Sequence, residues 1–123
     1  MTTVAVILTA LAGLVHVGFF LAESVFWGRP GVYKAFGARD AEEARLLSPA
    51  FYNIGFYNLF LGLGAIAGAW LLADSGAITL IVFTSLFMIG AGLVLISRSR
   101  ELWRGALVQA GLPAVALIAL ALG

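Results

Sequence analysis

Four apolar stretches, separated by short polar segments, dominate the chain: about Val4 to Trp27, Ala50 to Ala73, Ala77 to Ile96 and Gly105 to Leu122. A bilayer core of roughly 30 Å needs about 20 apolar residues in a helix that rises about 1.5 Å per residue. Each stretch meets that length or comes close to it, the last being shortest and containing Pro113. Strands of a membrane barrel would be short and strictly alternating, whereas these runs are continuous and rich in Leu, Ala and Gly. The pattern predicts an all-α fold, an integral membrane four-helix transmembrane bundle forming one domain over residues 1–123.

The segment between the first two spans, residues 28–49, is the only one long enough to hold structure of its own. Gly28-Arg29-Pro30-Gly31 is turn chemistry that stops the first helix near Trp27, a residue suited to the membrane interface. Asp40 with Glu43 three residues on forms a capping box for a short interfacial helix running to about Leu47, its apolar side on the membrane surface. Ser48-Pro49 then supplies a cap and a first-turn proline for the second span. Asp74-Ser75-Gly76 makes a tight antiparallel hairpin of spans two and three. Small residues mark the expected helix contacts: Gly64 to Gly68 in span two, Gly90-Ala91-Gly92 in span three, and Ala106, Ala110 and Ala114 in span four.

Composition agrees with the pattern, at 63% hydrophobic and 11% charged residues. The few charges then give the spans a direction. Arg29, Lys34, Arg39 and Arg45 lie between spans one and two, and Arg98, Arg100 and Arg104 between spans three and four. All Lys and Arg residues therefore fall on one side of a four-span chain, which the positive-inside rule makes cytoplasmic, with both termini outside. The expected location is the cell (plasma or inner) membrane. The start, Met-Thr-Thr-Val, lacks the basic region of a secretory signal, so the first helix reads as retained. A net charge of +1 gives no footprint for nucleic acid, and the absence of cysteine removes thiol and disulfide chemistry.

Candidate chemistry comes from the polar residues inside the spans. His16 and Glu23 are ionisable groups at membrane depth, which cost a few kcal/mol or more unless paired or hydrated. Their spacing of seven returns them to the same helix face about 10 Å apart. Counting about 1.5 Å per residue from the charged side, Glu23 lies level with Asn53 and Gln109, and His16 level with Thr84 and Ser85, with Tyr57 and Asn58 between the two levels. A polar column is expected from these, although Asn58 is about 100° round the helix from Tyr57, so that Asn53, Tyr57 and Asn58 cannot all face one point. One His, no Cys and one nearby carboxylate do not complete a zinc or copper ligand set, so no metal and no cofactor is expected. Phe19, Phe20, Phe26, Phe51, Tyr52 and Phe56 read as packing or interface anchors in the same half of the membrane.

The order His16, Glu23, Trp27, then Pro30 and Phe36-Gly37, then Asn53-x-Gly55-x-Tyr57-Asn58-x-x-Leu61-x-x-Gly64, resembles a family of small bacterial and fungal membrane proteins, domain of unknown function family 1304. The resemblance implies a four-span membrane protein and supplies no activity. The leading functional expectation is a non-enzymatic protein that binds or moves a small ligand or proton through His16, Glu23, Asn53, Tyr57, Asn58 and Gln109. One alternative is a membrane enzyme, an isomerase or quinone-linked, acting on a lipophilic substrate with His16 and Glu23 as general base and acid. The other is an accessory or structural subunit. Expected partners are the lipid bilayer, a second copy or another membrane protein, and a small lipophilic ligand.

Overall fold

The computed structural model describes residues 2–71 and 75–123, all of whose regular structure is helical. Helix α1 runs Thr2–Phe20 and continues as a π-helical turn, Leu21–Val25; a short α2 follows at Pro30–Ala35. Then come α3 at Ala41–Trp70, α4 at Ser75–Arg98, a 3₁₀ turn at Arg100–Leu102 and α5 at Trp103–Ala121. Four of these helices are long and apolar enough to cross a membrane, the arrangement of a multi-pass membrane protein. They form a ring in which α1 packs on α3 and α5, and α4 on α3 and α5. Most of each helix's surface faces outward, where Leu14, Phe60, Phe83 and Leu107 are exposed. Such a surface suits lipid as solvent.

Two readings of the loop between spans one and two are corrected. The interfacial helix and the second span are one continuous 30-residue helix, with Pro49 inside it. Proline costs the helix a hydrogen bond to the carbonyl four residues back, that of Arg45, and usually kinks or ends it. Here Trp27 bridges the proline: its ring stacks on Phe51 at 4.1 Å and 15°, and its Nε1–H donates to the Ala44 carbonyl at 2.8 Å. Both sides of Pro49 are thus held against one rigid ring. At about 1.5 Å per residue α3 is about 45 Å long, longer than a hydrocarbon core of about 30 Å, and its charged residues Glu42, Glu43 and Arg45 are in its first turns. Asp40 does cap the helix, accepting from the Glu43 N–H at 2.8 Å, but Glu43 reaches back to the Arg39 N–H, one residue before the position a capping box uses.

The second correction concerns the turn that follows Trp27, a residue that is itself buried in the protein. Trp27 sits with Tyr33, Ala38 and Ala44 in a cluster flanked by Val32, Phe36, Leu47 and Phe51. Helix α2, which the turn reading of Gly28 to Gly31 misses, folds back over the end of the bundle, started by Arg29 and Pro30 and ended at Gly37, whose φ of 97° suits glycine. The hairpin at Asp74-Ser75-Gly76 lies partly outside the described residues; Ser75 and Gly76 are the first residues of α4. The spans read at 77–96 and 105–122 extend to Ser75–Arg98 and begin at Trp103, and Pro113 is buried within an unbroken α5.

The tightest helix crossing is α1 on α3. A Cβ built on Gly62 would lie 2.6 Å from the Gly13 carbonyl oxygen, and one on Gly13 2.7 Å from that of Gly62. Backbone touches backbone at this point, which only glycine permits. Gly92 against Ala106 and Ala110, and Gly68 against Ile81, close the α4–α5 and α3–α4 contacts as their small residues suggest. A Cβ built on Gly90 would meet nothing within 4 Å.

Candidate functional site

Glu23 owes its position to the π-helical turn. The Phe26 N–H donates to the Leu21 carbonyl, five residues back, at 2.8 Å. Such a turn inserts a residue into the helical register and re-aims the side chains around it, and it often marks a functional site. Ser24 uses the altered register to donate its hydroxyl across to the Tyr52 carbonyl on α3 at 2.8 Å. Gly55 makes room for this approach: a Cβ there would collide with Ser24 Oγ and lie 3.2 Å from Glu23 Cβ. Nothing in the apolar pattern of Leu21 to Val25 announces a π turn. Glycine at position 55 was the only signal.

The Glu23 side chain is 4% exposed and stands between α1 and α3, where Oε1 accepts from Asn58 Nδ2 at 3.0 Å while Oε2 is covered and has no hydrogen-bond partner. Glu23 forms part of the wall of a cavity of about 970 Å³ at the loop end of the bundle. All four spans contribute to it, together with Ala35 at the end of α2 and the following Phe36. The lining is largely apolar, with Phe19, Phe51, Ile54, Val94, Leu95 and Val108 prominent, and its polar members are Glu23, Asn58, Gln109, Glu101 and Arg104. The two arginine-bearing connections therefore stand at the same end of the bundle and share this vestibule.

The six residues singled out from the sequence are divided by this geometry. Glu23, Asn58 and Gln109 come together around the vestibule. Asn53 and Tyr57 pair with each other instead, Asn53 Nδ2 donating to the Tyr57 hydroxyl at 3.2 Å, on the outer face of the bundle, where Tyr57 is 62% exposed. Their separation from Asn58 follows from the 100° between neighbouring helix positions. His16 is fully buried outside the vestibule lining, with Thr84 and Ser85 of α4 also buried in the bundle. Its Nδ1–H donates to the Ala12 carbonyl at 2.9 Å; because a carbonyl only accepts, the neutral ring keeps its lone pair on Nε2, which has no partner.

The aromatic residues do more than anchor. Phe19 meets His16 edge-on at 5.3 Å and Phe36 at 6.3 Å, and Phe36 meets both Trp27 and Phe51, so rings connect His16 to the loop cluster. Phe20, Tyr52, Phe56 and Phe60 form a separate chain.

A four-helix membrane bundle with a single carboxyl buried in the wall of an apolar vestibule is the class that fold and site define together. The chain belongs to the family described as Protein of unknown function (DUF1304), which matches residues 10–121. No curated protein and no solved structure matches it.

Proposed function

We propose that the protein is a membrane binding protein for a small lipophilic molecule with a polar head. The apolar vestibule takes the body of the ligand. Glu23, Asn58 and Gln109 take its polar group, and Arg104 and Glu101 flank the polar side of the site. One observation carries this reading: a carboxyl with an unpartnered oxygen is buried in the wall of a largely apolar cavity of about 970 Å³. Cavities of roughly 300–1,000 Å³ with few convergent polar groups are the usual form of small-molecule sites. A ligand able to reach Glu23 would repay a burial that is otherwise costly. His16 lies outside the vestibule lining, so a substrate held there would not meet His16 and Glu23 as a base and acid pair.

The same reading places the arginine-bearing end, and the mouth of the site, in the cytoplasm of a plasma or inner membrane, with both termini outside. A reporter fused after Gly123 should score as external; a cytoplasmic reporter would reverse the direction. The exposed Asn53–Tyr57 pair supports contact with a second copy or another membrane protein, since polar groups facing lipid gain by bonding across helices.

Native mass spectrometry of protein extracted in mild detergent tests the binding reading. The wild type should carry an added small mass, and Glu23→Leu should lose it while remaining folded. A consistently empty wild type, or equal occupancy in Glu23→Leu, would refute it.

A further inference from the structure

Thr9, His16 and Glu23 follow one another at intervals of seven residues along α1 and its π-helical extension, and they are 1%, 0% and 4% exposed. Each carries one buried polar atom without a partner: Thr9 Oγ1, His16 Nε2 and Glu23 Oε2. Among the described residues no other buried side-chain nitrogen or oxygen is left in this state. A threonine in a membrane helix normally satisfies itself by donating back to its own helix, as Thr84 does to the Leu80 and Ile81 carbonyls at 2.9 and 3.2 Å. Thr9 does not. Three orphaned groups therefore recur at seven-residue intervals along α1 and its π-helical extension, all of them buried inside the bundle.

Glu23 is in the wall of the vestibule, and so is Phe19, whose ring meets that of His16 edge-on at 5.3 Å. We infer that this stripe of α1 is a water-fed proton path, leading from the vestibule past Glu23 to His16 and Thr9, with Phe19 as the movable plug in front of His16. The path shares Glu23 and the vestibule with the proposed ligand site but needs no ligand.

Successive members are about 10 Å apart along the helix, a gap of two or three waters at ordinary hydrogen-bond spacing of about 2.8 Å. Buried waters typically serve such unsatisfied polar atoms. A proton leaving the Glu23 carboxyl breaks an O–H bond, passes along the waters, and forms an N–H bond at His16 Nε2. The Nδ1–H stays committed to Ala12, so the proton must leave again through Nε2: the ring stores a proton and does not pass it from one nitrogen to the other. The charged groups sharing the vestibule with Glu23 are Glu101 and Arg104; α3 presents the neutral Asn58, α5 the neutral Gln109, and α4 only Ala91, Val94 and Leu95.

The natural absence of cysteine makes the path directly testable. Single-cysteine variants Thr9→Cys and His16→Cys, reconstituted in liposomes, are treated with a water-soluble, membrane-impermeant thiosulfonate. Leu14→Cys, on the outward face near the same depth, is the control. Thr9→Cys and His16→Cys should label faster than Leu14→Cys, and Phe19→Ala added to either should speed labelling severalfold. In vesicles loaded with a pH dye and driven by a potassium diffusion potential, Glu23→Gln should lose the proton flux of the wild type. Thr9→Cys, near-isosteric, decides the labelling if His16→Cys does not fold. Labelling of Thr9→Cys no faster than Leu14→Cys, or equal flux in Glu23→Gln and wild type, overturns the path. Neither readout requires the bound small mass, so loss of the ligand reading and loss of the path are separable results.

Discussion

Replacing Gly62 with alanine should loosen the crossing that holds α1, and with it the whole candidate site, against α3. The new Cβ would sit 2.6 Å from the Gly13 carbonyl oxygen, about 0.8 Å inside the 3.4 Å at which ordinary contact begins, and 3.3 Å from His16 Cβ and Val17 Cγ2. The first of these neighbours is backbone, so no side-chain rotation relieves it and the helices must separate. Overpacking of this kind costs about 1–3 kcal/mol. Alanine also gains up to about 1 kcal/mol over glycine in helix propensity and unfolded-state entropy, which would mask part of the loss. Gly90→Ala cancels that gain, because position 90 lies in α4 with nothing within 4 Å of a built Cβ. Reversible unfolding in mixed micelles should therefore show Gly62→Ala about 1–3 kcal/mol less stable than Gly90→Ala. Equal stabilities would refute the close approach of α1 and α3.

Trp27→Phe keeps the ring on Phe51 and deletes the Nε1–H to the Ala44 carbonyl, and should lower unfolding stability by about 1 kcal/mol in the same assay. Asp40→Ala removes the side-chain acceptor for the Glu43 N–H at the start of α3 and should cost about 0.5–2 kcal/mol, seen as a lower thermal midpoint in detergent; an unchanged midpoint would deny the cap. Asn58→Leu leaves both carboxyl oxygens of Glu23 without partners and should cost about 1–3 kcal/mol, a penalty that Asn58→Leu combined with Glu23→Leu should largely relieve.

The four spans were legible because a membrane demands long apolar runs and the charges between them segregate. Periodicity carries no information about Pro49: the continuity of α3 depends on Trp27 clamping Ala44 and Phe51 from another part of the chain. His16 and Glu23 stood out by charge at membrane depth, and Asn58 by its offset from Tyr57. Thr9 did not stand out, since threonine in a membrane helix normally bonds its own backbone and only the structure shows that this one does not. The depth scale set Glu23 level with Asn53, whereas the contacts of Glu23 on α3 are Gly55 and Asn58, and a depth scale cannot assign a side of the helix. The sequence likewise offered Gly64 to Gly68 and Gly90 to Gly92 as contacts, of which Gly68 and Gly92 are close, while the closest approaches are at Gly13, Gly55 and Gly62.

Occupancy of the vestibule is the central claim, and filling the vestibule tests it most directly. Gly105 lines the cavity and Gly18 does not, and a side chain at either position meets nothing within 4 Å of its Cβ. Native mass spectrometry should find the bound small mass lost from Gly105→Phe and retained by Gly18→Phe. Retention in both variants, or loss from both, would contradict the account.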